Sequence, residues 1–289
     1  MISEQKKIRS SLLIKQWLIT KSLKLLITTL QKTSRQKRRL VLGKIGKLIL
    51  FLSKKTQQRA IGNIRRAIPS FSEKEAKVLA FSAYANCAFG VTETFWLDEL
   101  EPEVFCDEST LEILQSSKGA CIATMHLGCY EAVPLAVAKL THSSTTLTNV
   151  PTFIESGLQF YTNAGVIAIN KKSSSTFIEL IRQAKKNSYV SLHCDLWGNE
   201  IEVRFFNQKT KAPGGIALIS KMTQKPLLLA YSIYDEQGNI KVYFETLYKE
   251  SCYNQLSPEQ IMATIYQRFE AIITLYPEQW YWSYKRWRY

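Results

Sequence analysis

The spacing of hydrophobic residues alternates between two periods along this chain. Short apolar runs typical of buried strands are centred on Cys121, Val190, Leu228 and Val242. Segments with helical spacing lie between them, near Glu131, Phe177 and Ile216. Strands that alternate with helices in this way predict an α/β fold, in which a single central mixed sheet is flanked by helices on both faces.

Two longer helices are marked at their amino ends by capping boxes. Ser72 stands three residues before Glu75, and Ser257 stands three residues before Gln260. In such a box the serine hydroxyl accepts a backbone hydrogen bond, while the glutamate or glutamine side chain reaches back to the serine amide. We therefore expect one helix from residue 72 to about residue 96 and another from residue 257 to about residue 276.

The amino end of the chain combines positive charge with apolar side chains. Residues 1–66 hold 18 lysines and arginines against the single acidic residue Glu4, whereas the whole chain has a formal net charge of +14. Leucine, isoleucine, tryptophan and phenylalanine are interleaved with these cations, which favours an anionic membrane surface over nucleic acid as the partner. We expect residues 1–58 to form a basic amphipathic membrane-associating helical segment, and residues 59–289 to form a separate globular domain.

Part of this segment has the pattern of a helix that lies on a membrane surface. A helical repeat over residues 40–55 places four lysines within roughly a 100° arc and apolar side chains opposite them. The lysines are Lys44, Lys47, Lys54 and Lys55, and the apolar residues are Val41, Ile45, Leu48, Ile49 and Leu52. Lysines interrupt residues 12–30, so we expect neither a clean membrane-spanning helix nor a secretory signal there. The alternative is that both segments pack on the body as ordinary amphipathic helices.

A histidine and a carboxylate follow the first apolar run. On one continuous helix, the side chains of His126 and Glu131 would point roughly 140° apart. Gly128 permits a turn, so this pair fits better where a strand ends and a helix begins, at the edge where open α/β sheets bind ligands. There the imidazole could act as a general base, held by the carboxylate. The alternative is a partly buried histidine beside an unrelated surface glutamate.

Several motifs, taken in order, resemble the bacterial lipid A biosynthesis acyltransferases, the late lauroyl and myristoyl transferases. The similar segments are His126-x4-Glu131, residues 63–69 followed by Glu93, Asp195 after an apolar run, residues 203–206, residues 212–215 with Ala217-Leu218, and residues 277–287. The resemblance extends over nearly the whole chain from about Arg59.

This resemblance implies that residues 59–289 form an acyltransferase domain. The implied reaction moves a fatty acyl group from an acyl carrier protein thioester to a hydroxyl of a lipid A precursor, with His126 as the base and Glu131 as its orienting carboxylate. The residues expected to contact substrate are Asp195, which supports the pocket, and Lys209, Lys211 and Arg286, which contact phosphate. The expected partners are the acyl carrier protein, a lipid acceptor and an anionic membrane surface. The expected location is the cytoplasmic face of the inner membrane, with peripheral or monotopic attachment through the amino-terminal segment.

The chain departs from the family pattern at positions that bear on the acceptor. Cys129-Tyr130 stands where Asn-Trp is common, and no arginine lies near residues 148–151, where the family has a Tyr-Arg pair. An arginine there would be a natural partner for phosphate or for a developing oxyanion. Two alternatives therefore stay open. One is the same chemistry on another lipid, an amino acid or a polyketide-like product, and the other is a catalytically inactive basic protein that binds membrane or nucleic acid.

The cysteines give no indication of a metal site. Six are present, at positions 87, 106, 121, 129, 194 and 252, without the paired spacing of metal ligands. Several lie within apolar runs, where cysteine behaves as a small hydrophobic residue, so a reducing compartment is expected. We expect no metal and no cofactor beyond the thioester co-substrate.

Overall fold

The computed structural model describes residues 17, 20–22, 24–141, 143–149, 157–171 and 175–288. The helices are α1 (Arg35–Leu52), α2 (Lys54–Ala67), α3 (Glu73–Glu93), α4 (Glu108–Gln115), α5 (Ala132–Leu140), α6 (Gln159–Asn163), α7 (Thr176–Lys185), α8 (Gly215–Thr223) and α9 (Pro258–Leu275). The strands are β1 (Glu103–Phe105), β2 (Cys121–Thr124), β3 (Ser144–Thr148), β4 (Val166–Asn170), β5 (Tyr189–His193), β6 (Ile201–Phe205), β7 (Gln208–Ala212), β8 (Leu227–Tyr234) and β9 (Ile240–Tyr248). Short 3₁₀ helices cover Thr94–Glu99, Glu250–Gln255 and Pro277–Gln279.

Seven strands form one mixed sheet in the order β1-β9-β8-β2-β5-β3-β4. The strands from β8 to β4 in this order run parallel, whereas β9 is antiparallel to β8 and pairs in parallel with β1. Successive residues of β2 alternate between the two faces, since Cys121 and Ala123 belong to one buried cluster and Ile122 to the other. Helices cover both clusters, so the predicted α/β fold with helices on both faces is confirmed.

Both predicted capping boxes are present. The Glu75 backbone donates to the Ser72 hydroxyl over 3.3 Å while the Ser72 amide donates to the Glu75 carboxylate over 2.8 Å, and Ser257 and Gln260 repeat the arrangement. These caps start α3 and α9 at the positions that the sequence predicts.

A two-stranded hairpin, β6 and β7, stands apart from the main sheet. Its buried residues alternate with exposed ones, and the buried face of β6 packs against α9. The exposed side chains of the hairpin are Glu202, Arg204, Lys209 and Lys211. This pattern is typical of an antiparallel pair with one face on the core and one in solvent.

The helix predicted over residues 40–55 is broken in the middle. α1 ends at Leu52, because the backbone of Ser53 leaves helical geometry with φ −95° and ψ 76°, and α2 begins at Lys54. The face of α1 that is buried carries Arg38, Leu42, Gly46 and Leu50. Four of the apolar residues predicted to oppose the lysines therefore remain exposed, namely Val41, Leu48, Ile49 and Leu52.

The predicted boundary after residue 58 does not separate two structural units. It falls inside α2, and Leu50 shares a buried cluster with Ala60 and Ile64 of that helix. α1 packs closely along α3 at Gly46, where an added Cβ would come within 2.7 Å of the Ala88 methyl group. α1 packs on the rest of the protein because Leu42, Gly46 and Leu50 form a continuous stripe along one face of the helix, and α3 covers this stripe.

Much of the predicted segment over residues 12–30 lies outside the described residues. Residues 24–31 are helical. Among the helices that the structure describes, none is long and apolar enough to cross a membrane.

Candidate active site

His126 and Asp195 occupy equivalent positions after two neighbouring parallel strands. β2 ends at Thr124 and β5 ends at His193, and these two residues are paired in the sheet. Each strand is followed two residues later by a titratable side chain, His126 after β2 and Asp195 after β5. The prediction that His126 lies at the carboxyl end of a strand is confirmed, and the topology alone brings the two side chains together.

Asp195 is the carboxylate that holds His126. The His126 ring Nδ1 lies 2.8 Å from Asp195 Oδ1, and the His126 backbone amide donates to Oδ2 over 3.1 Å. A carboxylate only accepts, so Nδ1 carries the proton and Nε2 has the free lone pair. The imidazole is part-exposed, with 20% of its side-chain surface accessible, whereas Asp195 is completely buried.

This contact differs from the prediction that Glu131 orients the histidine. Among the described hydrogen bonds, Glu131 makes none to His126 and accepts one from the Tyr161 hydroxyl over 2.8 Å. Glu131 follows the turn at Gly128 and is the residue that precedes α5. Its carboxylate points toward Tyr161 of α6. The prediction that Asp195 contacts substrate also changes, because both of its oxygens are engaged inside the protein.

Trp280 supplies a third hydrogen bond to this carboxylate. Its indole Nε1 donates to Asp195 Oδ2 over 2.9 Å. The backbone of Trp280 pairs with Leu127 in an isolated bridge, and the Gly128 amide donates to the Gln279 carbonyl over 3.1 Å. The carboxyl-terminal segment therefore fixes both the carboxylate and the loop that carries His126.

Gly128 is required by the close packing of this loop. Its φ is +57°, and a Cβ at this position would lie 2.6 Å from the Ser232 carbonyl oxygen. Only glycine adopts that conformation without strain and leaves room for the neighbouring strand. The turn that the sequence predicts at Gly128 is thus present and tightly constrained.

The environment of Asp195 stabilises its charged form. Burial by itself would raise its pKa, but the charge of His126 and the hydrogen bonds from His126 and Trp280 outweigh it and lower the pKa of Asp195 below its ordinary value. A permanently ionised carboxylate at Nδ1 fixes the tautomer of the ring and stabilises an imidazolium when Nε2 takes up a proton.

Glu131 has the opposite electrostatic character. Burial raises its pKa to about 7, although the hydrogen bond from Tyr161 and the charge of His126 lower it in part. Its second oxygen, Oε2, is buried without a partner among the described residues, and the Tyr161 hydroxyl also lies 3.3 Å from Thr148. A carboxyl group in this setting exchanges a proton near neutral pH.

Three aromatic side chains surround the His126 ring. The rings of Tyr130 and His193 have their centroids 4.8 Å from that of His126, and the ring of Tyr281 lies 6.4 Å away. Burial, and then the neighbouring His126, lowers the pKa of His193 to about 3. His193 is therefore neutral at physiological pH.

A closed crevice, too narrow to hold a water molecule, lies beside Tyr281. The small side chains of α3 form one wall and residues 280–283 form the other, and the lining residues on α3 are Ala80, Ala83, Tyr84 and Cys87. Alanine and cysteine at intervals of three and four residues on a helix produce such a groove, because they share one face.

The three predicted phosphate contacts lie in different settings. Lys209 and Lys211 are exposed on β7, where Lys209 is 3.8 Å from Glu202 and Lys211 donates to Asn199 over 3.0 Å. Arg286 is buried instead, with its Nη1 donating to the Thr210 hydroxyl over 2.7 Å and to the Lys211 carbonyl over 3.0 Å. Its guanidinium also lies over the rings of Phe205 and Tyr266, so the residue predicted to contact phosphate has a packed position in the fold.

No cluster of three or more potential metal ligands occurs among the described His, Cys, Asp and Glu side chains. Sequence reasoning underestimated Asp195, His193, Tyr161 and Trp280, which complete the site. Only Asp195 had a usable signal, since it follows its apolar run with the same two-residue offset as His126.

A part-exposed histidine, fixed by a buried carboxylate at the strand ends of an α/β sheet, is the arrangement of a general base. Residues 4–289 match the family model described as bacterial lipid A biosynthesis acyltransferase, and the chain therefore belongs to this family. The protein is an acyltransferase, as the resemblance of its motifs predicts. A search of curated proteins found no match.

Proposed function

We propose that this enzyme moves a fatty acyl group from an acyl carrier protein thioester to a hydroxyl of a lipid A precursor. The family membership supports acyl transfer in lipid A biosynthesis. The observation that carries the mechanism is the bond between His126 Nδ1 and Asp195 Oδ1, because it leaves the lone pair of Nε2 free on a ring that is 20% exposed.

The proposed reaction has two proton transfers through one nitrogen. His126 Nε2 removes the proton from the acceptor hydroxyl as its oxygen attacks the thioester carbonyl, and a tetrahedral intermediate forms. The carbon–sulfur bond then breaks, and the leaving thiolate takes the proton back from Nε2. Asp195 stays ionised and stabilises the imidazolium between these two steps.

Glu131 has a different part in this proposal. The positive charge on His126 favours ionisation of Glu131, so the two groups are electrostatically coupled even though they share no described hydrogen bond. We assign Glu131 the role of a nearby carboxyl, held by the Tyr161 hydroxyl, whose negative charge in the ionised form stabilises the imidazolium of His126 without a direct hydrogen bond.

The proposed attachment is peripheral, at the cytoplasmic face of the inner membrane, through α1. Its outward side exposes large apolar residues, with Leu40 60%, Leu48 57%, Phe51 54% and Leu52 70% accessible. Lys44 and Lys47 lie among them and are exposed. Apolar side chains that insert between headgroups, with lysines that reach the anionic phosphates, are typical of helices at a membrane surface. Lys209 and Lys211 remain proposed phosphate contacts.

Mass spectrometry of lipid A tests the proposal. Cells without the gene should accumulate a precursor that lacks one acyl chain, and the wild-type gene should restore the chain, whereas a stably folded His126→Ala protein should not. An unchanged lipid A profile in the deletion strain would reject this acceptor. The lipid or amide product that disappears instead would then identify the acceptor for the same chemistry.

A further inference from the structure

The second amino-terminal helix, α2, presents a surface that is basic but has no large apolar side chain. Its exposed residues are Lys54, Lys55, Gln58, Gly62, Arg65 and Arg66. None of these four cations takes part in an ion pair with another described residue. Glu73 lines the same surface as Arg65 and Arg66, but the four cations leave it positive on balance, so it attracts an anionic partner over a distance of several ångströms.

This surface is concave. A groove of about 670 Å³ follows α2 and is also lined by Pro69, by Glu73 and by Gln208, the first residue of β7. Arg65 and Arg66 lie along its length. The same hairpin has Arg204 and Lys209 opposite each other on its exposed face, where Lys209 is also paired with Glu202 over 3.8 Å. We name this surface, formed by α2 and the exposed face of the hairpin, the basic groove.

The basic groove is connected directly to the active site. Asn63 of α2 donates from Nδ2 to the carbonyls of Trp282 and Tyr284, over 2.8 and 2.9 Å, and Arg59 donates to the carbonyl of Ser283 over 3.2 Å. The same segment provides Trp280 for Asp195. A single backbone segment, residues 280–284, therefore contacts both α2 and the carboxylate of Asp195, which holds His126.

We propose that the basic groove is the docking surface for the acidic protein domain that carries the acyl thioester. This inference rests on the proposed function, because it concerns the donor of that reaction. Three observations favour a protein over a lipid surface: the groove is concave, it lies against the active-site wall, and its helix lacks the exposed leucine and phenylalanine residues that α1 has. Complementary charge of this kind speeds the encounter and fixes the orientation of the partner.

Steady-state kinetics of the full-length enzyme test this assignment. The probe is an acyl carrier protein loaded with a saturated acyl chain, compared with the acyl thioester of N-acetylcysteamine, which is neutral and has no protein carrier. For the double variant Arg65→Glu/Arg66→Glu, we expect the KM for the carrier thioester to rise roughly tenfold or more, with kcat within about twofold. The small thioester should react with unchanged kcat/KM.

The matched control is Lys185→Glu/Lys186→Glu. It makes the same change in charge at two exposed positions just before β5 begins. These positions lie at the amino ends of the parallel strands, whereas His126 lies at their carboxyl ends. The KM for the carrier thioester should stay at the wild-type value in this control. The milder variant Arg65→Gln/Arg66→Gln should give an intermediate rise, and the wild-type KM for the carrier should increase as NaCl is added.

Two outcomes overturn the docking assignment while the proposed function stands: an unchanged KM for the carrier in both arginine variants, or a KM of the wild-type enzyme that does not respond to salt. Loss of binding to vesicles of phosphatidylglycerol and phosphatidylcholine in the Arg65→Glu/Arg66→Glu variant would overturn it as well, because the groove would then contact lipid. A wild-type enzyme that uses the small thioester but not the carrier thioester would instead reject the donor in the proposed function.

Discussion

The strand-end site and the amino-terminal helices place their charges in opposite ways. At the site, Asp195 and Glu131 are buried, so each charge depends on a few defined neighbours. On α1 and α2 most lysines and arginines point outward, and most have no carboxylate partner. A buried charge that loses its partner costs several kcal/mol, whereas an exposed one contributes about 1 kcal/mol or less. Single substitutions should therefore inactivate the site, while the helices should respond only to combined changes.

Arg35 and Arg38 are exceptions among the amino-terminal cations. Arg35 forms a two-bond pair with buried Glu93, and Arg38 lies over the ring of Trp96 and pairs with Glu99. These contacts, together with buried Leu42 and Leu50, attach α1 to the body. The helix thus uses one face for folding and keeps the other for an external partner.

The largest effect is expected from deletion of residues 1–53. Truncation of one buried leucine costs about 2–5 kcal/mol, and this deletion removes Leu30, Leu42 and Leu50 together, which is comparable with the whole stability of a domain. We expect loss of the cooperative thermal transition, followed by circular dichroism. Deletion of residues 1–16 is the control and should keep the transition. A cooperative fold in the longer deletion would show that α1 is dispensable for the body.

Asp195→Asn should give the next largest effect, now on catalysis. The amide cannot stabilise the imidazolium and favours the wrong tautomer of His126, so kcat should fall by roughly 10²–10⁴. Asp98→Asn, at an exposed position, should leave kcat unchanged. The loss in the double variant His126→Ala/Asp195→Asn should be no larger than that of His126→Ala alone, because the two residues act as one unit. Additive losses would contradict the pairing.

Glu131→Gln should reduce kcat less than Asp195→Asn does, because Glu131 is not bonded to the ring. Its effect on stability should depend on pH. The folded pKa of about 7 lies above the ordinary glutamate value of 4.5, so the folded state is penalised progressively as pH rises from 4.5 through 7. The glutamine variant should therefore be more stable than wild type at the upper end of this range. Its Tm should be higher, and its free energy of unfolding should be larger by an amount on the order of a few kcal/mol. A constant Tm difference from pH 4.5 to 8 would show that Glu131 is ionised throughout.

The smallest effect per residue is expected for the lysines of α1. Each contributes about 1 kcal/mol at an anionic membrane surface, so Lys44→Glu/Lys47→Glu should weaken binding to phosphatidylglycerol vesicles by well over tenfold. Flotation of the protein with vesicles measures this. The Lys185→Glu/Lys186→Glu variant serves as control and should float like wild type. Equal flotation of both variants would place the membrane contact outside α1.

The elements that local patterns determine were predictable from the sequence. Capping boxes fixed the starts of α3 and α9, and apolar runs located β2, β5, β8 and β9. β3 was missed because its sequence Ser144-Thr145-Thr146-Leu147-Thr148 has few apolar residues. Its buried hydroxyls are satisfied inside the fold, for example where Thr145 meets Ser188 at 2.7 Å. Such partners are distant in sequence, so no local pattern reveals them.

The same reasoning explains the errors at the site. A glutamate five residues from His126 was the obvious partner, but the strand register brings Asp195 there from 69 residues away. Arg286 was predicted to contact phosphate. Two aromatic rings and the β7 backbone enclose it instead. In both cases the determining contacts come from topology, and the order of strands in the sheet is not visible in local spacing.

The indole of Trp280 joins parts of the chain that are synthesised far apart. It contacts Asp195 across 85 residues of chain, and Asp195 contacts His126 across 69. Contacts over such sequence distances form late, because the entropy of closing long loops is lost before they stabilise anything. A nascent chain that has not yet extended past residue 280 therefore lacks a completed base. Stalled chains of increasing length, assayed while still attached to the ribosome, should turn from inactive to active only after this tryptophan has emerged.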